Sequence, residues 1–392
     1  MNILFIVSRP LEINTSASIR NLATINGLVE LGHKVDLITT EYDKNHPSYD
    51  SSMVLNDEDI NVKYLKLSGL QNIAKIGRKY KSLKLIKKIG YKILNKIEIY
   101  DNLKGIINCM SEINIDDNKY DIVISSSDPK SSHLFVLKMY ENNILNKTPW
   151  IQIWGDPFFS DISRKNKLLS SRIRQEEEKL IKYAKRVVYV SKLTLNYQQN
   201  KYSKYAGKMM YIPIPFVKKE FYPEKEIKNS GQTLTYCGEY SKEIRDILPL
   251  YNGINKSKHK LIICGNSDIK LEDTPNVKIN GRVNFKKVKE IEANSDVLIH
   301  LSNLRGTQIP GKIYQYSGTN KPILFILDGD SEDLRETFMK YNRYIFCENN
   351  EQSILNALEK IQELNNLVKN EPIEDFSGHK IASEIIKDVI TG

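Results

Sequence analysis

Short apolar runs alternate with amphipathic stretches along nearly the whole chain. Residues 2–7 (NILFIV) read as a buried strand, 16–32 as a helix closed by Gly32, and 34–39 (KVDLIT) as the next strand. A glycine at a helix end supplies the left-handed cap. Further strands are expected at 121–125 (DIVIS), 149–154 (PWIQIW) and 186–190 (RVVYV), with helical periods between them. Such alternation predicts a parallel sheet with helices on both faces. The rhythm is interrupted at 211–223 (YIPIPFVKKEFYP), where Pro213, Pro215 and Pro223 break any helical period and mark a linker. It restarts with strands expected at 232–237 (QTLTYC), 259–264 (HKLIIC), 276–280 (NVKIN), 296–301 (DVLIHL) and 322–327 (PILFIL). The pattern therefore predicts two doubly wound α/β domains. Ligands would bind at the carboxyl ends of both sheets, in a cleft between them.

Composition narrows the class. The chain has 392 residues, is 40% hydrophobic and 27% charged, and has no apolar run long enough to cross a bilayer. Its start, MNILFIVSRP, lacks the basic region and cleavage pattern of a signal peptide. Four cysteines (Cys109, Cys237, Cys264, Cys347) are widely scattered with no CxxC pair, which argues against a disulfide framework or structural zinc and for a reducing cytosol.

Charge distribution changes the picture more than the net +10 does. Residues 1–215 carry 33 Lys/Arg against 22 Asp/Glu, whereas 216–392 carry 25 against 26. The excess maps to 63–97, which holds 11 basic and no acidic residues, with Ile73, Ile76, Tyr80, Leu83, Ile86, Ile89, Ile93, Leu94 and Ile97 mostly three or four apart. That spacing reads as a basic amphipathic helix. It is either a solvated face over a core-facing stripe or a surface that adsorbs to anionic lipid. Nucleic acid is the least favoured partner, because base-stacking aromatics are not interleaved with the cations.

The most informative loop lies within 296–322 (DVLIHLSNLRGTQIPGKIYQYSGTNKP). A strand runs into a loop that opens a helix, with Pro310, Gly311 and Lys312 expected in its first turn. Proline suits that turn, and the free N–H groups after it form an anion site to which Lys312 adds a full charge. Diphosphate is the expected anion. Gly306, four residues, then Gly311-Lys312 nearly make a P-loop, but Ile313 stands where a Ser/Thr must hold magnesium. Two more turns are expected on the same edge: Gly238-Glu239-Tyr240 with Arg245 nearby, and Gly265-Asn266.

These segments, in their serial order, resemble the GT-B glycosyltransferases, specifically the retaining, family 4-like group that builds bacterial surface polysaccharides. SSSDPKSSHLFVLKM (125–139), TPWIQIWGDPF (148–158) and AKRVVYVSKLTLNYQ (184–198) are similar to that group's first-domain segments. LTYCGEYSKEIRDILPL (234–250), LIICGNSD (261–268), VKINGRVNFKKVKEIEANSDVLIHLS (277–302) and IPGKIYQYSGTNKPIL (309–324) are similar to those of its second domain. Many members carry two glutamates eight apart at the last segment; here those positions hold Thr307 and Gln315, and Gln315 retains the capacity to bond ribose hydroxyls. The loop 8–21 has no Gly-Gly pair and leaves Ser16, Ala17 and Ser18 as its small residues, and Ile214-Pro215 replaces the usual Asn-Gly.

The resemblance implies two facing Rossmann-like domains: 1–212 for the acceptor, 213–375 for the nucleotide-sugar, and a C-terminal helix at 376–392 crossing back to the first. Donor contacts are expected from Gly238, Glu239, Tyr240, Gly265, Asn266, Arg282, Thr307, Gln308, Pro310, Gly311 and Gln315, and acceptor-side contacts from Ser16, Ser18 and Arg20. Arg245, Lys312, His133 and Asp156 are the catalytic candidates, with His133 and Asp156 alternatively a satisfied structural histidine and a turn or cap residue. His300 reads as core. Asp328-Gly329-Asp330 reads as a turn, and no cofactor or metal is expected. The implied activity moves a sugar from a nucleotide-sugar to a glycan or lipid-linked acceptor, with retention, in the cytoplasm at the inner face of the membrane. The alternatives are a sugar-nucleotide epimerase on the same scaffold and a degenerate, non-catalytic binding subunit.

Overall fold

The computed structural model describes residues 1–53, 55, 58–67, 98–162, 169–223 and 231–389. The chain divides into two units: Met1–Tyr49, Val54–Ile212 and Ala382–Gly392 form the first, and Asp50–Met53 with Pro213–Ile381 the second.

In the first unit seven parallel strands lie in the order β3-β2-β1-β4-β5-β6-β7. They are β1 (Asn2–Ile6), β2 (Lys34–Thr40), β3 (Ile60–Leu65), β4 (Ile122–Ser126), β5 (Trp150–Trp154), β6 (Arg186–Tyr189) and β7 (Met209–Tyr211). The order reverses between β1 and β4, as in a doubly wound sheet. Helices α1 (Ser16–Glu30), α2 (Ser131–Glu141), α3 (Ser170–Tyr183) and α4 (Lys192–Lys201) connect the strands. Strands β1, β4 and β5 are almost wholly buried, which is why they read as continuous apolar runs. Their inward side chains Leu4, Ile6, Val123, Trp150 and Trp154 pack with Phe135 and Leu137 of α2. Gly32 sits at φ +78 just past α1 and donates its N–H to Val29 O at 2.8 Å, the expected left-handed stop.

The second unit repeats the plan with six parallel strands in the order β10-β9-β8-β11-β12-β13. These are β8 (Thr233–Cys237), β9 (Lys260–Cys264), β10 (Val277–Asn280), β11 (Val297–Leu301), β12 (Ile323–Leu327) and β13 (Ile345–Glu348). The connecting helices include α5 (Leu248–Asn255), α6 (Phe285–Asn294), α7 (Lys312–Tyr316), α8 (Ser331–Met339) and α9 (Glu351–Glu359). Arg343 is buried without a carboxylate: its guanidinium donates to the carbonyls of Thr319 (2.9 Å), Lys321 (2.6 Å) and Glu371 (3.2 Å) and to Asn370 Oδ1 (3.0 Å). These acceptors tie the segment 319–321 to 370–371.

Three differences from the sequence reading have local causes. Residues 60–65 form strand β3, so the expected basic helix cannot begin at Lys63; the remainder of that stretch, 68–97, lies outside the described residues. Tyr211 closes the short strand β7 rather than opening the linker. Strands β3, β7 and β13 are edge strands of three to six residues, too short or too mixed in polarity to carry a strong apolar signal.

Glu177 on α3 shows how the first unit secures the turn after β5. It is fully buried and accepts from Phe158 N (2.6 Å), Gln198 Nε2 (2.9 Å) and Tyr202 O–H (2.7 Å). Removing the acceptor strands three buried donors, each costing about 1–3 kcal/mol. Glu177→Ala should lower first-unit stability by roughly 3 kcal/mol in urea denaturation, with Glu177→Gln in between; a loss under 1 kcal/mol would disprove the bracing role.

Candidate functional site

At the carboxyl edge of the first sheet, β4 ends in Ser125-Ser126-Ser127-Asp128 and β5 in Gly155-Asp156. Arg20 of α1 is only 5% exposed and lies across both turns. It donates to Ser127 O and Ser126 Oγ, and a Cβ at Gly155 would lie 2.4 Å from its Nη1, so Gly155 leaves room for the guanidinium. Lys130, 6% exposed, pairs with Asp128 and sits 5.9 Å from the Trp154 ring. Burying two cations requires compensation, and Asp128, Asp156 and Asp161 supply it.

The two carboxyls respond in opposite directions. Burial, and then the Asp128 charge, push the Asp156 carboxyl up to about 7. Burial also presses on Asp128, but Lys130 and Arg20 outweigh it and hold that carboxyl below the ordinary range. A hydrogen bond joins the pair, which shares a proton as two close carboxyls do. His133 is fully buried beside them, 4.4 Å from the Trp154 ring. Burial, and then Lys130, hold its pKa well below the usual value, so the ring is neutral. The Ser125 hydroxyl accepts from Trp150 Nε1 (2.8 Å) and meets His133 Nδ1 at 2.7 Å, while His133 Nε2 has no partner among the described residues.

This edge brings together Arg20, His133 and Asp156 of the sequence candidates and adds Asp128 and Lys130, which the reading passed over although both stand in the quoted segment 125–139. Ser18 is corrected: its hydroxyl donates to Ile13 O (2.7 Å) and meets Thr15 Oγ1 (2.8 Å), so it is spent on closing the first turn of α1. Ser16 is exposed at the start of α1.

At the carboxyl edge of the second sheet, Gly238 and Gly265 follow β8 and β9 directly. A Cβ on Gly265 would lie 1.9 Å from Gly238 O, so the two turns touch through backbone. Arg245 is placed by a reciprocal backbone pair with Ser241 (2.9 and 3.0 Å). Its guanidinium donates to Glu239 O (2.7 Å) and twice to Asn303 Oδ1 (3.1 and 2.8 Å). Asn303 in turn donates to Gln308 O at 2.8 Å. Gln308 is 9% exposed, and neither end of its amide has a partner among the described residues; His300 Nε2, also buried, has none among them either. Burial, with Arg245 nearby, holds the pKa of His300 well below its ordinary value. Tyr240 N donates to Asn266 O at 3.3 Å, and Arg282 reaches Glu239 at 3.5 Å on the surface.

Lys312 has a defined counter-ion. Its ammonium lies 3.2 Å from Glu292, a fully buried carboxylate that also pairs with Lys289 (3.0 Å) and accepts from Tyr222 O–H (3.3 Å). Burial acts to lower the Lys312 pKa, but the Glu292 charge prevails and raises it. Two expectations change here. Helix α7 begins at Lys312 with Gly311 as its cap, so Pro310 and Gly311 precede the helix instead of forming its first turn. Gln315 does not offer its amide to a ligand: Nε2 donates to Pro215 O (2.9 Å) and Oε1 accepts from Val217 N (3.2 Å), anchoring 215–217 to α7. Thr307 lies in the loop beside Gln308. Asp328 and Asp330 form a turn, with Asp328 accepting from Gly329 N (2.9 Å) and Asn349 Nδ2 (2.8 Å). Among the described residues no group of three or more His, Cys, Asp or Glu is arranged to hold a metal ion, and no helix is long and apolar enough to cross a membrane.

Two doubly wound parallel sheets define the fold as GT-B. A scan against known protein families finds no match, and neither does a search of curated proteins. Solved structures do match. The catalytic domain of starch synthase IV from Arabidopsis thaliana, bound to ADP and acarbose, superposes with a TM-score of 0.64 at 11% identity over 100% of this chain and 99% of that one. An alpha-glucosyltransferase in complex with UDP and a 13-mer DNA gives 0.57 at 12% identity over 100% of both chains. UDP-N-acetylglucosamine 2-epimerase from Rickettsia bellii gives 0.51 at 13% identity over 100% and 96%.

Asp156 generates a pH prediction. Its folded-state pKa lies above that of an unfolded aspartate, so its contribution to stability is full below about 4 and is lost as pH rises through about 7. Asp156→Asn keeps a hydrogen-bond donor toward Asp128 and removes the buried charge. The variant should match wild type below about pH 4, gain on it steadily as pH rises, and exceed it above pH 7 by about 1–3 kcal/mol in urea titrations. A variant less stable than wild type at pH 8 would reverse the assignment.

Proposed function

We propose that this protein is a glycosyltransferase that moves a sugar from a nucleotide-sugar to a glycan or lipid-linked acceptor, with retention, in cell-surface polysaccharide synthesis. The observation that carries this reading is the carboxyl edge of the second sheet. There, two glycine turns, two cations (Arg245 and Lys312) and the unpartnered amide of Gln308 lie on a GT-B scaffold. In this reading the second unit holds the donor. Arg245 and Lys312 stabilise the charge that develops on the leaving diphosphate, which requires no metal. Gln308 satisfies its amide on the nucleotide or sugar. The first unit holds the acceptor against the Arg20–Asp128–Asp156 edge.

That same edge gives a second reading, a sugar-nucleotide epimerase, a specific footing. Epimerisation needs proton-transfer groups near the sugar, and Asp128, Asp156 and His133 form such a set. Solvent deuterium entering the sugar of recovered nucleotide-sugar would favour it, and transfer to an acceptor without exchange would favour the transferase.

Thermal shifts with UDP-, GDP-, CMP- and TDP-sugars test the donor site, since a ligand that binds only native protein raises its stability. Lys312→Ala should weaken the responding nucleotide at least tenfold, and Arg245→Ala several-fold. Near-wild-type affinity in Lys312→Ala would remove the donor from this edge. Turnover should survive excess EDTA; loss restored by manganese or magnesium would overturn the metal-free reading.

Peripheral attachment at the inner face of the cytoplasmic membrane rests on the basic stretch 63–97. Cations near an anionic surface each add about 1 kcal/mol, screened over roughly 8 Å at physiological salt. The protein should sediment with anionic vesicles at low salt and release as salt rises. Binding should weaken when Lys84, Lys87, Lys88 and Lys92 become Gln. Equal binding to neutral vesicles, or none to either, would defeat it.

A further inference from the structure

The four cysteines are far apart in sequence, but two of them end neighbouring strands. Cys237 is the last residue of β8 and Cys264 the last of β9, and the two are register partners in the parallel ladder. Register partners on adjacent parallel strands project to the same face. The thiols meet there in a hydrogen bond. Asn280, the next register partner on β10, donates its amide to Cys264 Sγ at 3.8 Å, so the row reads Cys237, Cys264, Asn280. Lys312 acts on both sulfurs from the helix beyond, and Tyr316 O–H accepts from Cys237 N at 3.3 Å.

We propose that Cys237 and Cys264 form a peroxide-reactive dithiol that closes to a disulfide across the two glycine turns of the second unit. Neighbouring strands run about 4.8 Å apart, inside the roughly 4.4–6.8 Å separation of Cα atoms that a disulfide spans. The pair divides its roles. The hydrogen bond from Cys237, helped by the Asn280 amide and Lys312, draws the Cys264 thiol down to about 7, while the same contact and burial drive Cys237 well above its ordinary value. Cys264 is therefore the attacking thiolate and Cys237 the resolving thiol. Both residues are under 10% exposed, which favours a small peroxide over a bulky disulfide as oxidant.

The step balances. Cys264 thiolate attacks one peroxide oxygen; the S–O bond forms, the O–O bond breaks, and hydroxide leaves and takes a proton to become water. Cys237 sulfur then attacks the sulfenic sulfur, the S–S bond forms, the S–O bond breaks, and a second water leaves with the thiol proton. Two electrons pass from the sulfurs to the peroxide. Because Gly238 and Gly265 follow the cysteines directly and already touch through backbone, a bond of about 2.0 Å between the sulfurs would displace both turns. The consequence for nucleotide binding rests on the donor-site reading; the cross-link itself does not.

The test treats reduced full-length protein with a small excess of hydrogen peroxide, quenches at intervals and maps thiols by peptide mass spectrometry without reductant. The expected product is a Cys237–Cys264 cross-linked peptide lighter by two hydrogens and reversed by dithiothreitol, formed at least tenfold faster than any change at Cys109 or Cys347. Those two are internal references, each with its thiol pushed up by burial, Cys347 to about 12. In Cys237→Ser, Cys264 should stop at a sulfenic acid that dimedone traps. Cys264 passing to sulfinic acid in wild type without a cross-link, or reacting no faster than the reference cysteines, would overturn the proposal. UDP- and ADP-induced thermal shifts on reduced and oxidised samples read the coupling: a shift at least tenfold less sensitive to nucleotide after oxidation supports it, and equal shifts refute it. If reduced protein binds no nucleotide, the donor reading fails while the cross-link result stands by itself.

Discussion

Parallel pairing of every strand is the constraint on which the rest of each unit depends. A parallel neighbour cannot be reached by a tight turn, so the chain must cross back over a face of the sheet after each strand. Every loop that follows a strand then lands on the same edge. In the second unit this gathers residues from positions as distant as 238, 265, 282, 303 and 312 along one edge. In the first it gathers Arg20, Asp128, His133 and Asp156. No residue-specific attraction is needed to assemble either set, only strands apolar enough to be buried on both faces.

Charge burial then decides what those edges can do. In the second unit Lys312 is drawn inward by Glu292, which is itself held by Lys289 and Tyr222, so the cation is fixed before any ligand arrives. An ammonium on a free stem would lose side-chain entropy on binding, and this one has already lost it. In the first unit two cations face the Asp128–Asp156 pair, which is divided between one firmly ionised and one easily protonated carboxyl. One edge carries a cation held in place by a buried carboxylate, the other a carboxyl pair split in its affinity for a proton.

The strands that are buried on both faces were legible because their apolar runs are short, rich in β-branched residues and bounded by turn residues, which favours a strand over a buried helix. The edge strands at 60–65, 209–211 and 345–348 were not, since half-exposed residues carry little periodic signal. The glycine turns, Arg245, Lys312 and Asp156 could be named from their position after strands. What sequence could not give was the partner of each polar group. Gln315 looked like a ligand contact and is occupied by the backbone at 215–217; Ser18 looked like one and closes a helix turn. Glu292, some twenty residues from Lys312, carries no motif at all. Cysteine spacing misled in the same way, since register, not sequence distance, sets Cys237 beside Cys264.

Some buried polar atoms have no partner among the described residues. Buried polar groups are almost always paired, and an unpaired one costs about 1–3 kcal/mol. Arg343 and Glu177 obey that rule fully, with every named contact serving to fix the fold. Among the described residues Gln308, His300, His133 and Arg20 Nε break it near the carboxyl edges where the parallel topology delivers its loops, and others, Thr39, Tyr189, Gln198 and Ser377 among them, break it elsewhere. A fold that satisfied those groups internally would be more stable and would have less to offer a ligand. An unpaired group therefore does not mark a site by itself; those at a carboxyl edge differ from the rest in standing where loops, not packed strands, surround them.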